Sequence, residues 1–229
     1  MVSSIYRVVV ADYDAVLFDN DGVLVVPPDT ETQAAATRTA FQAVGIDSPL
    51  EEHVMAIVDG VTIDQLRSIC RDYDLEPQRF WAARERADER SQLDAFKTGA
   101  RGCYDDVTAV TDFDRPRGIV SNNHHSTIAF LLEFFECGDW FDVYQGRPKT
   151  IESLARKKPD PHYLNRTLER LDATSALYVG DSQSDVIAAR RAGIDSVIVR
   201  RPHCRDLTLD PSPTYAVTDL HAVVDLVEE

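Results

Sequence analysis

Four lysines in 229 residues is the first shortage this chain shows: Lys97, Lys149, Lys157 and Lys158. Arginine supplies the rest of the 24 basic residues, against 39 acidic ones, for a net charge of −15. Such a balance excludes a broad nucleic-acid footprint, which needs clustered Lys and Arg. An acidic surface poor in lysine, with aspartate well ahead of glutamate, is expected of a halophilic protein, since concentrated salt screens the self-repulsion. Cysteine is scarce and scattered. Cys70, Cys103, Cys137 and Cys204 form no C-x-x-C pair, which argues against a zinc site and for free thiols in a reducing compartment. No apolar run approaches membrane-spanning length. The opening MVSSIYRVVVADYD has too short an apolar stretch for a leader and turns acidic at once. The expectation is a cytoplasmic chain with no membrane partner and no nucleic-acid partner. Internal repeats and low-complexity tracts are also missing.

What is present is a hydrophobic fraction of 44% and a charged fraction of 28%, the make-up of a globular protein able to bury a full core. Apolar runs at 15–19, 117–121, 141–145, 176–180, 196–200 and 215–217 read as strands; the run at 8–10 has no assigned place, an additional edge strand being one option. Helical patterns lie between them, including 127–137, stopped by Gly138, and 161–171. Alternation of this kind implies a doubly wound, mostly parallel α/β sheet with ligands beyond the carboxyl ends of its strands. Nearly a hundred residues separate the first two strands of that pattern. Their signals are helical: capping boxes at Thr30–Gln33, Ser48–Glu51 and Thr62–Gln65, then a helix from Pro77 to just before Gly99. Pro27-Pro28 and Thr98-Gly99 read as hinges. The organisation expected is a core of 1–26 with 99–229 and a helical insert of 27–98.

Four polar motifs close strands or open helices in fixed order: AVLFDNDGVL at 15–24, GIVSNN at 118–123, KKPDP at 157–161 and LYVGDSQSD at 177–185. In an extended chain Asp19 and Asp21 face one site, with Gly22 permitting a sharp departure. A carboxylate nucleophile at Asp19 splits group transfer into two easier steps, and Asp21 can serve as acid and then base. Asn20, between them, is expected to point away from the site. Ser121 and Asn122 offer a hydroxyl and backbone N–H groups where a helix begins, a place suited to phosphoryl oxygens. Lys158 is set at a helix entrance, with Asp160 as cap and Pro161 in the first turn, and its charge can neutralise nucleophile and phosphoryl group. Lys157 reads as an exposed neighbour. Asp181 and Asp185 are paired carboxylates of the kind magnesium accepts. His124 and His125 read as a solvent-facing first turn. Arg84, Arg86 and Arg90, interleaved with Glu85, Asp88 and Glu89, read as a solvated helix face.

Taken together the four motifs resemble those of the haloacid dehalogenase-like hydrolases, in particular the phosphoglycolate-phosphatase-like branch with a helical cap. That resemblance implies a Rossmann-like core with an inserted cap over 27–98. It also implies Mg2+ held by Asp19, by the Asp21 carbonyl and by Asp181, with Asp185 a ligand or its support. The implied activity is hydrolysis of a small phosphorylated metabolite through an aspartyl-phosphate, with Asp19, Asp21, Ser121 and Lys158 catalytic and Ser121, Asn122 and Lys158 binding phosphate. A phosphomutase on the same scaffold and a non-catalytic binding module are the alternatives. A dehalogenase is disfavoured because those relatives lack the Asp21-type acid.

Overall fold

A computed structural model describes residues 12–228. The run at 8–10 and the opening segment lie outside the described residues. Six parallel strands form one sheet in the order β3-β2-β1-β4-β5-β6: β1 Ala15–Phe18, β2 Arg117–His124, β3 Val143–Arg147, β4 Ala176–Gly180, β5 Asp195–Val199 and β6 Tyr215–Val217. β1 sits at the centre and is wholly buried, as a strand covered on both faces must be. Its residues alternate. Val16 and Phe18 join one face with Ile128 and Leu132 of α5 (His125–Phe134) and Val223 of α8 (Leu220–Glu228). Ala15 and Leu17 join the other, with Leu164 of α6 (His162–Leu171) and Ala188 of α7 (Gln183–Ala192). Phe18 meets Phe113 and Phe141 edge-on, with ring centroids 5.7 and 6.1 Å away. Its truncation to Ala costs about 3–5 kcal/mol.

Chain order along the sheet reverses at β1. The connections from β1 run outward to β2 and β3, then cross to β4 on the other side. The carboxyl ends of β1 and β4 therefore flank a topological switch point, where open α/β sheets bind ligands.

Between β1 and β2 lie four helices: α1 Thr30–Ala43, α2 Glu51–Asp59, α3 Ile63–Asp72 and α4 Pro77–Lys97. They bury a cluster of their own, including Phe41, Val54, Leu66 and Phe80, joined by Ile151 from the segment before α6. The capping box at Thr62 and Gln65 is formed as read, and Pro77 opens α4. Two other helix starts differ. α1 is capped by Asp29, whose carboxylate accepts from the Thr32 amide, one residue before the expected box. α2 begins at Glu51 behind Leu50, with no side-chain cap, so Ser48 plays no capping part. α5 also stops early, at Phe134, because Glu136 takes a left-handed conformation two residues before Gly138.

Candidate active site

Beyond Phe18 the chain reverses tightly. The Asn20 carbonyl accepts from the amides of Leu24 (2.9 Å) and Val25 (3.0 Å). Gly22 stands at φ +85°, and a Cβ there would lie 1.9 Å from the Asp181 carboxylate. Only a glycine lets this backbone pass so close, and the close passage places the end of β1 against the end of β4.

Asp19, Asp181 and Asp185 come together at that meeting point, with a carboxylate oxygen from each within 4.8 Å of the others. Lys158 reaches into the group from the loop before α6. Its ammonium lies 2.8 Å from Asp19, 2.7 Å from Asp185 and 2.6 Å from the Tyr178 hydroxyl. Asn122 fixes the lysine's backbone, accepting from its amide at 2.7 Å and donating to its carbonyl at 3.3 Å. Its side-chain amide is thus engaged with Lys158. Ser121 is buried at the neighbouring strand, with its hydroxyl accepting from the Asn123 amide (3.1 Å). Asp160 accepts from the His162 amide (2.9 Å), but α6 starts at His162 with Pro161 at its N-cap, one residue later than expected, and no side chain caps it.

Three carboxylates around one ammonium leave two negative charges uncompensated, and the titration behaviour divides accordingly. Burial pushes the Asp185 carboxyl up, but Lys158, the Ser182 side chain and the Asp181 amide outweigh it and hold it below its ordinary value. Burial raises Asp19 to about 8 against the pull of Lys158, with the charges of Asp185 and Asp181 adding to the rise. Asp181 is raised as well, by burial and then by Asp185, against a hydrogen bond from His203. Its Oδ2 is 2.6 Å from His203 Nε2. The lysine is therefore shared between Asp185 and Asp19, and the three carboxylates keep a charge deficit that matches a divalent cation. An all-oxygen donor set suits a hard ion.

Asp21 stands just outside this cluster. One of its oxygens accepts from Arg101 (2.6 Å) and Asn20 (3.2 Å), the other from Asn123 (2.8 Å). Asn20 therefore does not turn away but donates to the neighbouring acid. Asn123 also donates to Gln92 of α4 at 2.7 Å, and Arg101 donates to the same Gln92 oxygen at 3.2 Å. A continuous hydrogen-bonded chain thus joins α4 to Asp21.

Between α1, α2 and α4 and the sheet lies a cavity of ≈ 160 Å³ lined by Asp21, Asn122 and Asn123 on one side and by Gly60, Val61, Trp81, Arg84, Asp88 and Gln92 on the other. Beside it a wider recess of ≈ 610 Å³ runs from the α2–α3 turn to Lys158 and Ser184.

Several sequence readings are corrected at this wall. Arg84, Glu85 and Asp88 are buried, and only Arg86 and Arg90 keep to the expected solvated face. Glu85 is met by Arg147 (2.7 Å) and by His124 (2.6 Å). Burial pushes Glu85 up, but bonds from His124 and Arg147 hold it well below its usual range. His124 is fully buried instead of solvent-facing, while His125 is exposed and stacks on Tyr144. Lys157 is no bystander. It lines the cavity, and burial, aided by Arg147 and Arg84, pushes its amine down to about 8.

Residues 16–199 match the model of the family described as haloacid dehalogenase-like hydrolase. The chain belongs to the haloacid dehalogenase-like hydrolases. It is an enzyme of that family's phosphatase kind. It is 30% identical over 190 residues to the phosphoglycolate phosphatase of Photobacterium profundum, covering 77% of this chain and 79% of that one. It is 31% identical over 192 residues to that of Neisseria gonorrhoeae, covering 80% and 78%. Among solved structures, CbbY of Rhodobacter sphaeroides in complex with phosphate shares the fold, with a TM-score of 0.72 at 18% identity over 95% of this chain and all (100%) of that one. The open parallel sheet with flanking helices is the Rossmann-like core of this family. No helix among the described residues of this hydrolase is long and apolar enough to cross a membrane.

Arg101, Asn123, Gln92, His203 and Tyr178 were not singled out by the sequence reading. A signal existed for Gln92. Residues 81, 84, 85, 88 and 92 fall on one face of α4 and continue the buried face that Phe80 and Trp81 begin.

Proposed function

We propose that the enzyme hydrolyses a small, phosphoglycolate-like phosphate monoester with Asp19 as nucleophile, Asp21 as acid and base, and Mg2+ as the bound cation. One observation carries the reading: Asp19 is buried against Lys158, inside a three-carboxylate cluster, with Asp21 beside it at the cavity wall. Asp19, Asp181 and Asp185, with the Asp21 carbonyl, would hold magnesium. The ion would supply positive charge beside the phosphoryl oxygens. Everything else falls to side chains of the chain itself. An Asp19 oxygen forms a bond to phosphorus as the ester P–O bond breaks, and the departing oxygen takes a proton from Asp21. Water then attacks the phosphorus and gives its proton to Asp21, and the bond to Asp19 breaks to release phosphate. Lys158 neutralises Asp19 and the transferred group. Ser121 and Asn122 furnish the phosphate-side wall, and Asn122 also keeps Lys158 in place. Gln92, Asn123 and Arg101 are positioning residues for Asp21.

Residues 27–98 act as a cap over a core of 1–26 and 99–229, a division supported by the separate hydrophobic cluster of the four helices. The test is inorganic phosphate release from a panel of small phosphate esters, with and without magnesium. Stoichiometric, magnesium-dependent release is expected. Isomerisation of a sugar phosphate that needs a bisphosphate primer and frees little phosphate would overturn hydrolysis in favour of a mutase.

A further inference from the structure

Among the described residues, no protein acceptor meets three donors on the cavity wall. Trp81 Nε1 and Arg84 Nε are buried and unpaired, and both residues are more than nine-tenths buried on the cavity lining. The third is the Lys157 ammonium. It reaches across from the segment before α6 to the α2–α3 turn, where a Cβ on Gly60 would lie 3.8 Å from it. Arg147, Arg84, Glu85 and Asp88 act on it through space, and among the described residues none bonds to it. Leaving the two buried donors, Trp81 Nε1 and Arg84 Nε, unmet is costly.

The acids on the same wall are already engaged. Asp88 accepts from Gln92 at 2.9 Å and faces Arg84 at 3.5 Å, and Asp21 accepts from Arg101 and Asn123. Arg101 offsets Asp21, and Arg84, Arg147 and Lys157 face Glu85 and Asp88, which leaves at least one positive charge in excess. The surplus on this wall is therefore of donors and of positive charge. A volume of ≈ 160 Å³ matches the roughly 150 Å³ that admits a benzene-sized molecule.

We infer that Lys157, Arg84 and Trp81 form a receptor for a second anionic group, a carboxylate or a second phosphoryl group, on the part of the substrate that is not transferred. The inference rests on the phosphatase reading and narrows it. A substrate is anchored by one anion at Lys158 and another at Lys157, with Asp21 between insert and core at the ester oxygen. The two adjacent lysines then serve the two ends of one molecule.

The test compares the full-length magnesium-loaded enzyme with Lys157→Met, because Lys157 holds no structural bond whose loss would unfold the chain. An Arg84→Gln variant and melting curves for each serve as companions. The substrates are phosphoglycolate, ethylene glycol monophosphate, in which a hydroxymethyl group replaces the carboxylate, and propanediol bisphosphate. The wild type is expected to favour a doubly anionic ester in kcat/KM by at least about tenfold, and Lys157→Met to lower that ratio by roughly tenfold to a hundredfold, chiefly through KM. Preference between phosphoglycolate and the bisphosphate distinguishes carboxylate from phosphoryl group. Equal rates on all three esters, or an unchanged ratio in a folded Lys157→Met, would overturn the receptor. If no ester is hydrolysed, the phosphatase reading fails. Calorimetry with malonate then decides the receptor separately: binding lost in Lys157→Met supports it, and no binding or equal binding overturns it.

Discussion

Magnesium should bind far more tightly at pH 8 than at pH 6, by an amount the site itself supplies. Asp19 is raised from an ordinary 3.8 to about 8 in the metal-free protein. The sign follows from proton counting. Between those two values the folded state holds a proton on Asp19 that the unfolded state has released, so this group lowers stability as pH rises. A cation that needs the ionised carboxylate must expel that proton. With a value near 8, the competition factor is about 100 at pH 6 and about 2 at pH 8, so apparent affinity changes roughly 50-fold. At saturating ion this is about 2.3 kcal/mol of linked stability. For a chain of this size it is worth about 5–9 °C in melting temperature. The assay is thermal unfolding at fixed magnesium at the two pH values, backed by calorimetric titration that counts released protons. Nearly one proton per ion is expected at pH 7, and Asp19→Asn should flatten the dependence. Equal gains in melting temperature at pH 6 and pH 8 would refute the reasoning.

Asp19→Asn should abolish phosphate release yet leave metal-free stability equal or improved at pH 8, since it removes a charge from an overcrowded cluster; residual turnover near wild type would sink the nucleophile assignment. Lys158→Met should lose about 3–5 kcal/mol in urea unfolding at pH 8, because two buried carboxylates lose their partner, and the loss should shrink in acid as Asp19 takes up its proton. By contrast Lys157→Met should stay within about 1 kcal/mol of wild type, its charge being disfavoured where it lies; a loss matching that of Lys158→Met would contradict the separation of the two lysines. Gly22→Ala should weaken magnesium binding markedly, as its Cβ would strike Asp181, and an unaltered calorimetric titration would disprove the close passage. Gln92→Leu should lower kcat by about tenfold and add little to Asp21→Asn; additive losses would break the link from α4 to Asp21.

Much of the core could be read from the chain because the signals are local. β4 and β6 fall where the apolar runs stand, and the acid at 19, the lysine at 158 and the pair at 181 and 185 each sit next to a strand end or helix entrance. The close approach of Asp19, Asp181, Asp185 and Lys158 needs the strand order, which the alternation of strands and helices implied only in outline. The insert wall was opaque for a physical reason. Arg84, Glu85 and Asp88 have the composition of a solvated face, and what buries them is an ion network completed by His124 and Arg147 from distant segments. Lys157 and Lys158 are alike in sequence. Only the tertiary fold sends one to Asp19 and the other toward Gly60. Helix ends were misjudged where a rule had competitors: Glu136 bends the chain before Gly138 can, and Asp29 outbids Thr30 as cap of α1.

α4 sets the terms on which this enzyme's preference can be redesigned. Phe80 and Ala83 are buried in the helical insert, while Arg84, Asp88 and Gln92, from the next residue onward at one-turn intervals, face the cavity. Exchanging any of these three for a residue suited to a bulkier ester disturbs ion pairs or the support of Asp21, so a library on α4 will yield mostly damaged variants. The turn at Gly60-Val61 and the segment bearing Leu154 and Lys157 border the same volume without entering that network. Diversity introduced there can reshape what is admitted while the acid–base chemistry stays in register.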